Sequence, residues 1–269
     1  MSLPISFLSD YGLRDEYVGV VHAVLARIAP ESRVIDVTHG VPRGNVRAGA
    51  LALVRAVQYL PEGVALAVVD PGVGTERRGI AAATAWGTLV GPDNGLLGPA
   101  VQMVGGAERI VSLEDPRFQL PRDGVTFDGR DIFAPAAALL AAGEAELNDL
   151  GPAIDMSSAV PLMLPLVENE EGVLRGEALW VDGFGNVQTN ITPQEMAAAG
   201  LDPDSSVKVE VGVSAYVLTW KASYGDVEPG EALIHIDSYG QIAIAVRGGR
   251  ADEDLNLGEG TSVVLSSPT

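Results

Sequence analysis

The stretch Val68-Val-Asp-Pro-Gly-Val-Gly-Thr-Glu-Arg-Arg78 decides how the rest of the chain is read. It closes an apolar run, residues 63–69, with the length and β-branched content of a buried strand. That strand ends on Asp70 and turns at once into a Pro/Gly loop. The carboxylate therefore falls at the C-terminal edge of a sheet, which in open α/β sheets is where ligands bind. Gly72 and Gly74 permit a close backbone approach or a positive φ. Arg77 and Arg78 follow closely enough for one of them to fold back onto Asp70. The competing reading of this stretch alone is a tight loop with a solvated carboxylate.

The same signature recurs on either side. Residues 4–9 form a short apolar strand ending in Asp10-Tyr11-Gly12, and residues 88–90 run into Gly91-Pro92-Asp93-Asn94-Gly95. Helical patterns separate the strands. Residues 15–29 carry an apolar face and stop at Pro30. Asn45 caps a second helix that ends near Tyr59. Residues 96–104 and 131–142 read as two more. Further strands are expected at residues 33–37, 80–84 and 109–113. Strands alternating with helices predict a mainly parallel α/β sandwich domain over residues 1–151, with Asp10, Asp70 and Asp93-Asn94 at one edge. Residues 152–170 hold three prolines in the stretch up to Pro165 and read as a linker. From 171 to 269 the texture is short strands and turns, which predicts a smaller C-terminal antiparallel β-barrel domain.

The chain has 269 residues, of which 47% are hydrophobic and 20% charged, enough apolar material for large cores and against disorder. A formal net charge of −19 opposes binding to nucleic acid or an anionic membrane, which need clustered Lys/Arg. The absence of cysteine excludes disulfides and thiol nucleophiles. With neither a signal peptide nor an apolar run of spanning length, a cytoplasmic protein is expected. His22 falls in the first helix and His235 in an alternating strand, and both read as structural. His39 follows a strand end, where it reaches the cleft or holds a turn. No ligand spacing for zinc appears, and no metal is expected. No dinucleotide fingerprint, Walker loop or nucleophile elbow appears either.

Two further stretches carry polar groups in an unusual setting. Thr126-Phe127-Asp128-Gly129-Arg130-Asp131 gathers two carboxylates and an arginine just before a helix, where the simplest role is a cap. Asp182-Gly183-Phe184-Gly185-Asn186 places an aromatic ring at a turn tip, which a plain turn does not need. A comparable turn, Asp237-Ser238-Tyr239-Gly240, reads as a hairpin.

Taken in order, these motifs resemble the S-adenosylmethionine hydroxide adenosyltransferase family, relatives of the fluorinases and chlorinases. The resemblance runs along nearly the whole chain. It implies a homotrimer with sites between one subunit's N-terminal domain and its neighbour's C-terminal domain. It implies attack of water or hydroxide on C5′ of S-adenosylmethionine, giving adenosine and methionine, with no cofactor. Asp70 and Arg77 match two members of the family's Asp-Arg-His set; the histidine would fall at position 128, where this chain has Asp128. The reading at this point is that Asp70 and Asp128 share proton acceptance while Arg77 orients them. Asp10 would hold the ribose hydroxyls, and Phe184 and Asn186 the adenine, with Asp182 and Ser238 near the methionine end. Tyr11, Asp15, Asn94, Phe127 and Tyr239 are further expected substrate contacts, and Val246 and Gly248 help close the adenine pocket. The rival readings are a halogenase acting on the same substrate and a non-catalytic adenosine or S-adenosylmethionine binding module.

Overall fold

A computed structural model describes residues 2–268. The chain divides into two compact units, Met1–Met163 and Leu164–Thr269. In the first, β1 (Ile5–Ser9), α1 (Tyr17–Ile28), β2 (Val34–Thr38), α2 (Val46–Val57) and β3 (Gly63–Val68) are followed by β4 (Gly79–Ala83) and β5 (Gly87–Pro92). Then come α3 (Gly98–Met103), β6 (Arg109–Ser112) and α4 (Ala134–Ala142). The sheet order is β2-β1-β3-β5-β4-β6. The first four strands are parallel, and β4 runs antiparallel to both of its neighbours. The β4–β5 pair is a hairpin that turns at Trp86-Gly87.

Both faces of the sheet are covered, which is why β1 and β3 are buried at every position and β3 is apolar throughout. Ile5, Phe7, Val64, Leu66 and Val68 share a core with Val18, Val21 and Leu25 of α1 and with the alanines of α4. On the other face Gly49 of α2 lies so close to Val69 that an added Cβ would sit 2.8 Å from its Cγ2. Asn45 caps α2 as expected, accepting from Ala48 N at 2.9 Å. One boundary differs. The helix expected over 131–142 starts with a wide π-type turn, Gly129–Phe133, and becomes α-helical only at Ala134. The connection from β1 leaves toward β2 and the next crosses to β3, so a topological switch point lies between β1 and β3. Asp10 and Asp70 follow those two strands directly.

The second unit comprises β7 (Glu168–Glu170), β8 (Val173–Val181), β9 (Val187–Thr189), α5 (Pro193–Ala198), β10 (Ser206–Val211), β11 (Ser214–Trp220), β12 (Ala232–Ile236), β13 (Ile242–Val246), α6 (Ala251–Asp254) and β14 (Ser262–Ser266). The strands run β14-β10-β11-β12-β13-β9-β8, and β14 pairs back onto β8 to close a seven-stranded barrel. Closure removes the free edges that a small sheet would expose. Alternation does the packing: Val207, Val209 and Val211 are buried while Ser206, Lys208 and Glu210 are not. Every pairing is antiparallel except β11 with β12, whose connection crosses over rather than turning back. The stretch expected as linker holds a short 3₁₀ turn at Met156–Ser158, and β7 adds onto β8 outside the barrel.

Phe133 is fully buried in the core of the first unit, beneath the sheet edge. Phe133→Ala is expected to lower stability by about 3–5 kcal/mol, read as a shifted denaturant midpoint.

Candidate active site

The loop after β3 is built around its own arginine. Arg77 folds back so that Nε donates to Asp70 Oδ1 at 3.1 Å and Nη2 to Asp70 Oδ2 at 2.5 Å. Gly74 takes φ +78°, and Thr75 Oγ1 donates to Gly72 O at 2.7 Å, which bends the loop tightly enough for this return. The same Nη2 donates to Asp128 Oδ2 at 2.8 Å. Asp128 is thus drawn from the far side of the chain into the same cluster. Its other oxygen accepts from Arg122 Nη1 at 2.7 Å. Asp70, Arg77 and Asp128 side chains are about nine-tenths buried or more. Two carboxylates and two guanidiniums leave the cluster formally neutral.

Burial pushes the Asp70 carboxyl above the usual carboxylate range, against the pull of the Arg77 guanidinium, and the Asp128 charge adds to the push. Phe133 lies below, with the Arg77 guanidinium 5.2 Å from its ring centre.

Above the cluster is a cavity of about 170 Å³, bordered by Asp10, Tyr11, Tyr17, Asp70, Phe127 and Asp128. Three rings form an apolar wall: Phe127 stands edge-on to Tyr11 and Tyr17, with centroids 5.7 and 5.2 Å apart. Asp10 Oδ2 accepts from Gly44 N at 2.7 Å. Burial first, then the charges of Asp10, Asp70 and Asp128, drive the Tyr11 phenol far above its ordinary value, so it remains a neutral donor. Its hydroxyl packs where a side chain on residue 129 would stand, so Gly129 is required by close approach.

The capping role considered for the 126–131 stretch is not what the structure shows. Asp128 makes no helix cap, and Asp131 is paired instead with Arg130 at 2.6 Å. Asn94 spends its side chain locally, donating to Val69 O and accepting from Leu96 N. Asp93 is paired with Arg78 and accepts from Val160 N, so that turn ties the segment at Arg78 to the one at Val160. Asp15 makes only a loose exposed pair with Arg43, at 3.8 Å. Arg122 and Tyr17 belong to the cavity or its floor and were not singled out from sequence.

The remaining expected contacts lie in the barrel unit. Asp182 organises its turn, accepting from Phe184 N, Asn186 N and Asn186 Nδ2. Phe184 is left 80% exposed at the tip. Gly185 O accepts from Ala251 N and Asp252 N, which brings this turn beside the segment after Val246. Val246 is buried and Gly248 takes φ +70°. Ser238 and half-exposed Tyr239 sit on a turn held by Asp237, which accepts from Tyr239 N, Gln241 N and the Gln188 side chain. A larger, shallow depression of about 680 Å³ near Trp220 and Lys221 offers no comparable chemistry, since Lys221 is spent on Asp204.

The SAM hydroxide adenosyltransferase N-terminal domain matches residues 5–151, and the C-terminal domain of the same family matches residues 176–264. The chain belongs to the SAM hydroxide adenosyltransferase family. It is 51% identical to an (R)-S-adenosyl-L-methionine hydrolase of Salinispora tropica over 95% of each chain. A protein of that same name from Thermus thermophilus is 42% identical over 97% of this chain and 99% of the relative. The crystal structure of an uncharacterized conserved protein from Thermotoga maritima superposes with a TM-score of 0.90 at 37% identity, covering 97% of this chain and 99% of that one. Fluorinases stand further off; that of Actinopolyspora mzabensis is 28% identical. The resemblance read from the motifs therefore holds at the level of the family.

Gly129→Ala is expected to cost about 1–3 kcal/mol through overpacking against Tyr11. Adding Tyr11→Phe, which removes the hydroxyl in the way, should return part of that loss; denaturant unfolding of the two single variants and the double variant measures the coupling.

Proposed function

We propose that this protein hydrolyses S-adenosyl-L-methionine to adenosine and L-methionine. The observation that carries the reading is the buried Asp70–Arg77–Asp128 cluster on the floor of a cavity walled by aromatic rings. The names of the relatives specify the R sulfonium epimer, and that epimer is the proposed substrate. Water is held at the carboxylates, in line with the C5′–S bond. Its oxygen forms a bond to C5′, and the C5′–S electron pair goes to sulfur, which leaves as a neutral thioether. The proton lost from water passes to Asp70. A sulfonium needs no acid to expel it, so the protein has to supply only orientation and a base.

The geometry divides the two carboxylates. Asp70 has the raised carboxyl and is the proposed base. Asp128 has a guanidinium on each oxygen and is the proposed anchor for Arg77, with Arg122 balancing its charge. Asp10 is placed to take the ribose hydroxyls, and the neutral Tyr11 to donate. A cavity of about 170 Å³ is small for this substrate; sites for such ligands span about 300–1,000 Å³. This supports completion of the site by a second subunit of a homotrimer, with Asp182, Phe184, Asn186, Ser238, Tyr239, Val246 and Gly248 offered from the barrel unit.

Incubation with each sulfonium epimer, with and without excess chloride, tests the reading. Adenosine and methionine in equal amounts, indifferent to chloride, are expected. Formation of 5′-chloroadenosine, or tight binding with no product, would overturn it. Proton acceptance needs the ionised carboxylate, so kcat/KM should fall as pH drops through the raised Asp70 value and level off above it. Asp70→Asn should remove that limb and slow turnover by about 10²–10⁴-fold. Asp128→Asn should keep the limb, shown by a pH profile of each variant.

A further inference from the structure

We propose that His22, Asp36 and His39 form a binding site for a divalent transition-metal ion of the zinc class, distinct from the cleft. Among the described residues this is the one group of three side chains whose ligand atoms lie within 4.8 Å of one another. The two imidazoles converge on a single atom: His22 Nε2 lies 2.8 Å and His39 Nε2 3.0 Å from Asp36 Oδ1. They come from different elements. His22 is on α1, Asp36 is on β2, the edge strand of the sheet, and His39 directly follows that strand.

The donor set decides the class of ion. Two imidazoles and a carboxylate suit Zn²⁺, Co²⁺ or Ni²⁺, not the all-oxygen shells of Mg²⁺ or Ca²⁺. Bonds of about 2.0 Å in a tetrahedron put donors about 3.3 Å apart. The two nitrogen–oxygen spacings therefore have to open by only a few tenths of an ångström, and the two nitrogens already lie within 4.8 Å of each other. His22 and Asp36 can yield that much, their side chains being 35% and 47% exposed. Their exposure also provides an entry path and leaves outer coordination positions to water.

His39 is the fixed ligand. Its side chain is 4% exposed, and its Nδ1 lies 2.8 Å from the Oγ of fully buried Ser9. With Nε2 on a metal, Nδ1 keeps its hydrogen and donates to that hydroxyl, which is the outer partner a ligating histidine needs to hold its ring. Phe7 packs beside both imidazoles, with centroids 4.6 Å from His39 and 6.1 Å from His22. With no thiolate in the set, the ion is an exchangeable clamp between helix and edge strand, not a requirement for folding.

The full chain, stripped with a chelator, is titrated with zinc chloride by calorimetry and with cobalt by visible absorption. One equivalent per chain is expected, with a higher melting temperature when zinc is present. His22→Gln and Asp36→Asn, both at partly exposed positions, should each weaken binding by about tenfold or more and lose the zinc-dependent melting shift. Their metal-free melting temperatures show whether each variant is folded. No saturable binding, or binding that both folded variants retain unchanged, would overturn the proposal and leave the three side chains as a hydrogen-bonded strut. None of these readouts depends on turnover of S-adenosylmethionine.

Discussion

A guanidinium held between two buried carboxylates is the constraint on which the cleft depends. Asp70 and Asp128 come from loops on opposite sides of the first unit's chain order, and each would resist burial beside the other. Arg77 makes their proximity possible by bonding both through the same nitrogen. The loop geometry follows from that demand. The chain must reverse within seven residues of Asp70, and the positive φ of Gly74 lets it do so. The π-type turn at Gly129–Phe133 serves the other side, setting Asp128 ahead of the helix, where its side chain is free of capping duty. Phe133, on that same turn, closes the underside of Arg77. Removing one member leaves a buried charge without its partner, which is costlier than never having buried the set.

The local parts of this arrangement were legible in the sequence. A strand, a carboxylate, two glycines and an arginine in succession fix the Asp70–Arg77 return without distant information. The alternation of Val207, Val209 and Val211 likewise announces a barrel strand, and Asn45 announces a helix start. What was not legible depends on the third dimension. Arg122 sits in a polar loop whose pattern resembles any solvated turn, and only Asp128 gives it a role. Asn94 and Asp93 look like cleft residues because they follow a strand end. Yet their side chains are consumed by Val69 O, Leu96 N, Arg78 and Val160 N. His22 and Asp36 are separated by fourteen residues with no motif between them, and only the packing of α1 against the edge strand brings them into contact.

The two aspartate turns of the barrel unit show the same division between scaffold and display. Asp182 and Asp237 each take two backbone N–H groups on one oxygen and an amide side chain on the other. That pattern rigidifies a turn without help from neighbouring strands. Each turn carries an aromatic ring, Phe184 largely exposed at the tip of one and Tyr239 half-exposed on the other. A ring as exposed as Phe184 contributes little to folding. Stacking on a flat partner is what such a ring is fitted for, which is consistent with the adenine contact expected of Phe184.

The exchange of the family's histidine for Asp128 bears on how much chemistry a sulfonium substrate demands. Departure of a neutral thioether requires no proton donor, so losing an imidazole does not remove an acid the reaction needs. Proton acceptance is the role proposed for Asp70, whose carboxyl is already raised by burial. The difficulty created by the exchange is electrostatic: a neutral or positive ring is replaced by a second anion beside the first. Arg122 answers it directly, bonding the oxygen of Asp128 that Arg77 leaves free. The cluster stays neutral, and the acidity of the chain as a whole is what suits a cationic substrate. In this chain, then, the second anion is buried with a second arginine already on it, and the pair adds no net charge to the cleft floor.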